Sequence, residues 1–173
     1  MRLPLPGLPA GAVLSLLSPA ALAVCAMLGA SHLAAQSITV TLLGTGAPMP
    51  SHERFGPSTL IQAGGQAFVI DAGRGAVQRI GQAGVPWQQV DAVLFTHLHS
   101  DHVVGLPDLW LTGWLVRPGR NRPLGVWGPT GTARMVTHLR EAFAFDLALR
   151  QSDDRAPAAG VVINAKDISA GVV

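Results

Sequence analysis

Thr96-His97-Leu98-His99-Ser100-Asp101-His102 is the stretch on which the reading of this chain turns. It follows an apolar run, Asp91–Thr96, that reads as a strand delivering His97 onward. His97 and His99 are two apart, so on extended backbone both side chains point the same way and two imidazoles can grip one metal. Asp101 and His102 follow a short bend and can reach a second metal or the water between the two. Imidazole and carboxylate donors suit zinc, and iron or manganese also fit such a set. A polar surface loop that happens to hold histidines is the plain alternative, and the density of ligand-type residues after a strand argues against it.

Working outward, Ile38–Leu43 is β-rich and empties into Gly44-Thr45-Gly46-Ala47-Pro48, a sharp strand-to-loop turn. Thr59–Ala63 and Gln66–Asp71 flank Gly64-Gly65, the pattern of a hairpin with a two-residue turn. A short helix is expected over Arg74–Gly84, a second over Leu106–Val116, and the best over Thr130–Asp146. That last one has Thr130 or Thr132 as cap and Met135, Leu139, Ala142 and Phe143 along one stripe. Leu124–Gly128 reads as a short strand, Arg150–Gly160 as loop, and a further strand starts at Val161–Ile163. Strands in a meander, then alternating with helices, indicate a layered α/β structure.

The order and content of these motifs resemble the metallo-β-lactamase superfamily. His97-x-His99-x-Asp101-His102 is similar to its signature. Leu43–Pro48, Gly64-Gly65, Ile70-Asp71-Ala72-Gly73-Arg74-Gly75, Gly105-Leu106-Pro107-Asp108 and Gly128-Pro129-Thr130-Gly131 resemble the branch holding ribonuclease Z and metallo-type arylsulfatases. The resemblance runs from about Ile38 to Arg150. It implies an αββα sandwich, with only the N-terminal half present in this chain. It further implies His97 and His99 on one metal, Asp101 and His102 on or near the other, and zinc, two ions per complete site, as cofactor. Asp101 would be catalytic, handling the proton. Asp71 would lie beneath the site and orient a metal-bound histidine; a plain strand-end turn carboxylate is its alternative reading. The implied reaction is hydrolysis of a phosphodiester or sulfate ester by a metal-activated water. Family members also need further downstream ligands. The single later histidine, His138, sits mid-helix, and Asp146, Asp153, Asp154 and Asp167 stand in the wrong context, so a non-catalytic truncated fragment is the competing expectation.

Composition sets the remaining expectations. The first 52 residues carry one charge, Arg2, and residues 11–30 are almost wholly apolar or small, ending in Ser31-His32-Leu33-Ala34-Ala35-Gln36. This reads as a secretory signal over residues 1–35, cut after Ala35, with an uncleaved membrane anchor as the alternative. Residues 36–173 then form the domain, exported to the periplasm or beyond. Without Arg2, the twelve Lys and Arg become eleven against ten Asp and Glu, a net charge of +1. A balance so close to neutral does not indicate nucleic-acid binding, and an exported protein would not meet transfer RNA. The expected partner is therefore a small-molecule or ester substrate, with oligomerisation left open. Cys25 falls inside the leader, so no internal disulfide is expected downstream. Arg117, Arg120 and Arg122 read as a solvated basic loop, and Trp110 and Trp114, four apart, as packing residues.

Overall fold

The computed structural model describes residues 37–169, and the leader expectation lies outside the described residues. Six strands form one sheet in the sequential order β1-β2-β3-β4-β5-β6: Ile38–Gly44, Ser58–Ala63, Gln66–Ile70, Val90–Leu94, Leu124–Gly128 and Ile163–Asp167. The first three are antiparallel, and β3 through β6 run parallel. The β2–β3 hairpin turns as expected on Gly64 and Gly65, whose φ values of 57° and 79° suit glycine at both central positions of a type I′ turn. Parallel pairing needs crossovers, and these are the helices α1 (Ala76–Gln82), α2 (Ser100–Val103), α3 (Leu106–Leu115), α4 (Thr132–Ala142) and α5 (Ala144–Ser152).

Most of the buried apolar side chains meet on one face of the sheet. Leu43, Leu60, Val69, Val93 and Val126 are buried there against Val77 and Ile80 of α1, Leu109, Trp110 and Trp114 of α3, and Val136 of α4. The strand periodicity of two sends the alternate residues to the opposite face. The register aligns Val40, Ile61, Phe68 and Ala92 in one row and Leu42, Thr59, Ile70, Leu94 and Trp127 in the next. On that second face Ile38, Val40 and Leu42 are 68%, 59% and 68% exposed. This is the uncovered apolar surface that one sheet of a two-sheet sandwich requires, and the mixed α/β half-sandwich expectation is met.

Several local expectations change. The predicted Thr130–Asp146 helix breaks at Phe143 (φ −98°, ψ 7°), and α5 continues to Ser152, into the segment expected to be loop. Neither Thr130 nor Thr132 caps α4. Gly131 stands at its N-cap, and Asp167 of β6 accepts the N–H groups of Gly131 and Ala133 at 3.0 and 2.8 Å. A carboxylate brought from another element thus serves the orphan donors that a local hydroxyl would otherwise take. Of the three arginines expected in a solvated turn, Arg120 is only 1% exposed. Its Nη2 donates to the carbonyls of Trp110 and Gly160, and burial, then the charge of Arg122, push its pKa down to about 10. Arg122 instead pairs with Asp91 at 2.7 Å. Trp110 and Trp114 pack as expected, fully buried, with their indole N–H groups on the carbonyls of Val161 and Pro157.

Candidate metal centre

The site forms where the parallel strands end. β3 stops at Ile70 and β4 at Leu94, and the chain leaves each on its C-terminal side, where side chains converge in open parallel sheets. Asp71 follows β3 in the left-handed region, φ 59°, with its N–H on the carbonyl of Leu94. That turn aims its carboxylate across to the backbone leaving β4. After the Phe95 N–H bonds the carbonyl of Trp127, the chain bends at Thr96 and runs to an extended His99, and the one-turn helix α2 then carries Asp101 and His102. Glycine makes this approach of loops feasible. A Cβ on Gly105 would stand 2.4 Å from the carbonyl oxygen of Gly73 and 2.9 Å from that of Ala72, so no other residue fits without backbone movement.

Three imidazoles are brought together here. The ring centroids of His97 and His99 are 4.6 Å apart, edge to face, and those of His97 and His102 are 4.0 Å apart. Asp101 Oδ2 lies 3.7 Å from His102 Nε2. Among the described residues no three His, Cys, Asp or Glu side chains close into a complete metal-ligating cluster. The four residues read from the motif are therefore gathered in one place but do not by themselves complete a ligand shell. His138 is not part of the group: it is exposed on α4 and pairs with Glu141. Asp146 lies beside Arg150, and Asp154 pairs with the same guanidinium, so neither is brought to the histidines.

Asp71 does what the turn-carboxylate alternative does not require. It is 6% exposed, and its two oxygens accept three hydrogen bonds of 2.8 Å, from the Thr96 N–H, the Thr96 hydroxyl and His102 Nδ1. A carboxylate can only accept, so Nδ1 of His102 carries the proton and Nε2 keeps a free lone pair. That pattern, a histidine donating one ring N–H to a carboxylate while the other nitrogen stays open, is how metal-ligating histidines are held. The donor set therefore fits a divalent metal: three imidazoles, that of His102 in its neutral form with Nε2 unprotonated, and a carboxylate beside them. The role of Thr96 was not read from the sequence. The only local signal is its place, between the end of β4 and His97.

Several known proteins are similar to part of this chain. A family model described as "Anti-Pycsar protein Apyc1" matches residues 38–123. A protein named ribonuclease Z from Mycolicibacterium gilvum is 49% identical over 114 residues, 65% of this chain and 40% of that relative. The chain thus spans about two fifths of the length of such a relative. The structure of human tRNase Z, short form, superposes with a TM-score of 0.55 at 29% identity, covering 61% of this chain and 39% of that one. A Bacillus subtilis metallo-β-lactamase fold protein gives a TM-score of 0.57 at 17% identity, covering 76% and 47%, and supports the fold alone. These relatives correct one expectation. A net charge of +1 and an apolar leader pointed to a small-molecule or ester substrate and away from nucleic acid, yet the matched relatives are named ribonuclease Z and tRNase Z, for action on RNA. Net charge reports the whole surface, whereas a nucleic-acid site needs only a local field. The His97-x-His99-x-Asp101-His102 motif, the half-sandwich and these matches agree, and together they support a ribonuclease Z-like protein of the metallo-β-lactamase superfamily.

Proposed function

We propose that this protein contributes the metal-holding half of an RNA phosphodiesterase. The observation that carries the reading is the convergence of His97, His99 and His102 beside Asp101, above a carboxylate that fixes the imidazole of His102. His97 and His99 would hold one metal, and Asp101 and His102 would hold or border a second. Zinc is the metal this donor set suits best, with iron or manganese as alternatives. When bound, the metal pair supplies a Lewis acid that polarises a phosphoryl oxygen and brings water to reactivity near neutral pH. The chain's own residues orient the centre. Asp71 holds His102 in the ligating tautomer, Asp101 stands where it can take up a proton, and the glycine-lined loops let the backbone of residues 72–73 and 102–105 pack closely beneath. Phosphodiester hydrolysis is preferred to sulfate-ester hydrolysis because the similar relatives act, by name, on RNA.

The test is cleavage of a precursor transfer RNA bearing a 3′ trailer by the full chain with zinc or manganese. A single endonucleolytic product, lost in His97→Ala, is expected. No cleavage with either metal, while zinc still binds, would favour the second reading, a non-catalytic chain. The absence of a closed ligand cluster among the described residues speaks for that second reading. Export or anchoring through residues 1–35 is a separate proposal; it rests on the apolar leader, whose one charge is Arg2, and would direct the activity to RNA met outside the cytoplasm, the precursor serving only as an in-vitro substrate. Sequencing the exported product should show a start near Gln36, whereas full-length protein held in the membrane would replace export with anchoring.

A further inference from the structure

Asp71 accounts for His102, but the hydrogen bonding around it continues one step further. The Thr96 hydroxyl donates to Asp71 Oδ2 at 2.8 Å, and the hydroxyl oxygen, Oγ1, lies 3.0 Å from Nδ1 of His97. A hydroxyl has one proton. With that proton given to a carboxylate that can only accept, the Thr96 oxygen faces His97 as an acceptor. Nδ1 of His97 must then carry a proton, which leaves its Nε2 with the free lone pair. We infer that Thr96 is a positioning residue that carries the orienting effect of the buried Asp71 carboxylate to His97, so that one carboxylate sets the tautomers of two neighbouring histidines.

The geometry favours this over a purely structural role for Thr96. The Thr96 backbone N–H is already anchored on Asp71 Oδ1 at 2.8 Å, so the loop position is fixed without the hydroxyl. Thr96 itself is exposed, so its hydroxyl has water available and is not forced onto Asp71 by burial. What the hydroxyl adds is polarity: an acceptor toward His97 where a methyl group would offer none. The inference rests on the metal-centre reading for its purpose, but the tautomer itself is a property of the metal-free chain.

That separation defines the experiment. Long-range proton–nitrogen NMR of the metal-free full chain, labelled at histidine nitrogens and assigned by single substitutions, reports which ring nitrogen of His97 is protonated. His97 of the unsubstituted protein is expected as the Nδ1–H tautomer. Thr96→Ser, which keeps the hydroxyl, should preserve it. Thr96→Val, close to threonine in shape without the hydroxyl, should release it toward Nε2–H. Zinc affinity by chelator competition should fall about 10-fold or more in Thr96→Val, within the range seen when the group orienting a ligand is lost, and stay within about twofold in Thr96→Ser. His97 already protonated at Nε2 in the unsubstituted protein would overturn the inference without recourse to any variant. So would an unmoved Nδ1–H signal in a folded Thr96→Val. Loss of RNA cleavage by the unsubstituted protein, with these tautomers in place, would sink the proposed function and leave this inference standing.

Discussion

Replacing Asp71 by asparagine should disable the metal centre while sparing most of the fold. The carboxylate accepts three 2.8 Å bonds in a position only 6% exposed. Asparagine tolerates the left-handed φ of 59° found there, so the backbone turn should survive. Its carbonyl oxygen can still take the Thr96 N–H. Its amide, however, donates where the second carboxylate oxygen accepted. Facing that amide, His102 Nδ1 must become the acceptor and shift its proton to Nε2. The Thr96 oxygen accepts from the amide as well and turns its own proton toward His97 Nδ1, reversing that tautomer too. Both Nε2 lone pairs are lost together. Zinc affinity should fall at least about 10- to 100-fold, the usual effect of losing a single orienting partner. Stability should fall by only about 1–3 kcal/mol, because the bonds are rebuilt with reversed polarity. Asp71→Ala, which leaves three part-buried donors without their acceptor and places alanine at positive φ, should cost about 3–5 kcal/mol. Chelator competition gives the affinities and urea melts the stabilities. An Asp71→Asn protein with unchanged zinc affinity would refute the tautomer argument. One as unstable as Asp71→Ala would show that Asp71 is mainly structural.

Gly105→Ala should destabilise by about 3 kcal/mol or more, since its Cβ would meet two backbone carbonyls that no side-chain rotation can clear. Urea denaturation measures this, and a loss under about 1 kcal/mol would mean the loops are not tightly apposed. The carboxyl of Asp167 is held below its usual range of 3.8, first by the N–H of Ala133 and then by that of Gly131. A depressed folded-state value stabilises the protein above the unfolded value, and that contribution disappears as pH falls through the folded one. The stability gap between the unsubstituted protein and Asp167→Ala should therefore narrow as pH drops below about 4; a gap that widens there would be inconsistent with the capping role. The double substitution Val40→Ser and Leu42→Ser, on the uncovered sheet face, should change stability by about 1 kcal/mol or less while reducing self-association in sedimentation. A much larger stability loss would show that this face is covered in solution.

What the sequence disclosed was what sequence-local chemistry determines. The Gly64-Gly65 hairpin and the Leu124–Gly128 strand were legible because a turn's φ preferences and a period-two pattern lie within a few residues. The histidine cluster was legible because two-residue spacing and a bend suffice to aim the rings together. Long-range effects were not. Arg120 looks like a loop charge, but its burial depends on carbonyls of Trp110 and of Gly160, 40 residues on. The start of α4 suggested a threonine cap, whereas Asp167, 36 residues past Gly131, does that work from a neighbouring strand. The break at Phe143 went unforeseen because Met135, Leu139, Ala142 and Phe143 form one continuous apolar stripe by periodicity. Thr96 looked like the end of a strand, and its importance emerges only with Asp71, 25 residues earlier, in place beneath it. The substrate expectation failed for a related reason: charge summed over a chain carries no information on where a field is concentrated.

Zinc titration of the purified full chain, alongside His97→Ala and His102→Ala, tests the central claim most directly. If these histidines form a metal centre, the unsubstituted chain binds zinc in saturable, stoichiometric fashion, and each substitution weakens that binding at least about 10-fold, as loss of a directly ligating side chain should exceed loss of its orienting partner. Equal zinc binding by all three proteins, or none by the unsubstituted chain, would contradict it.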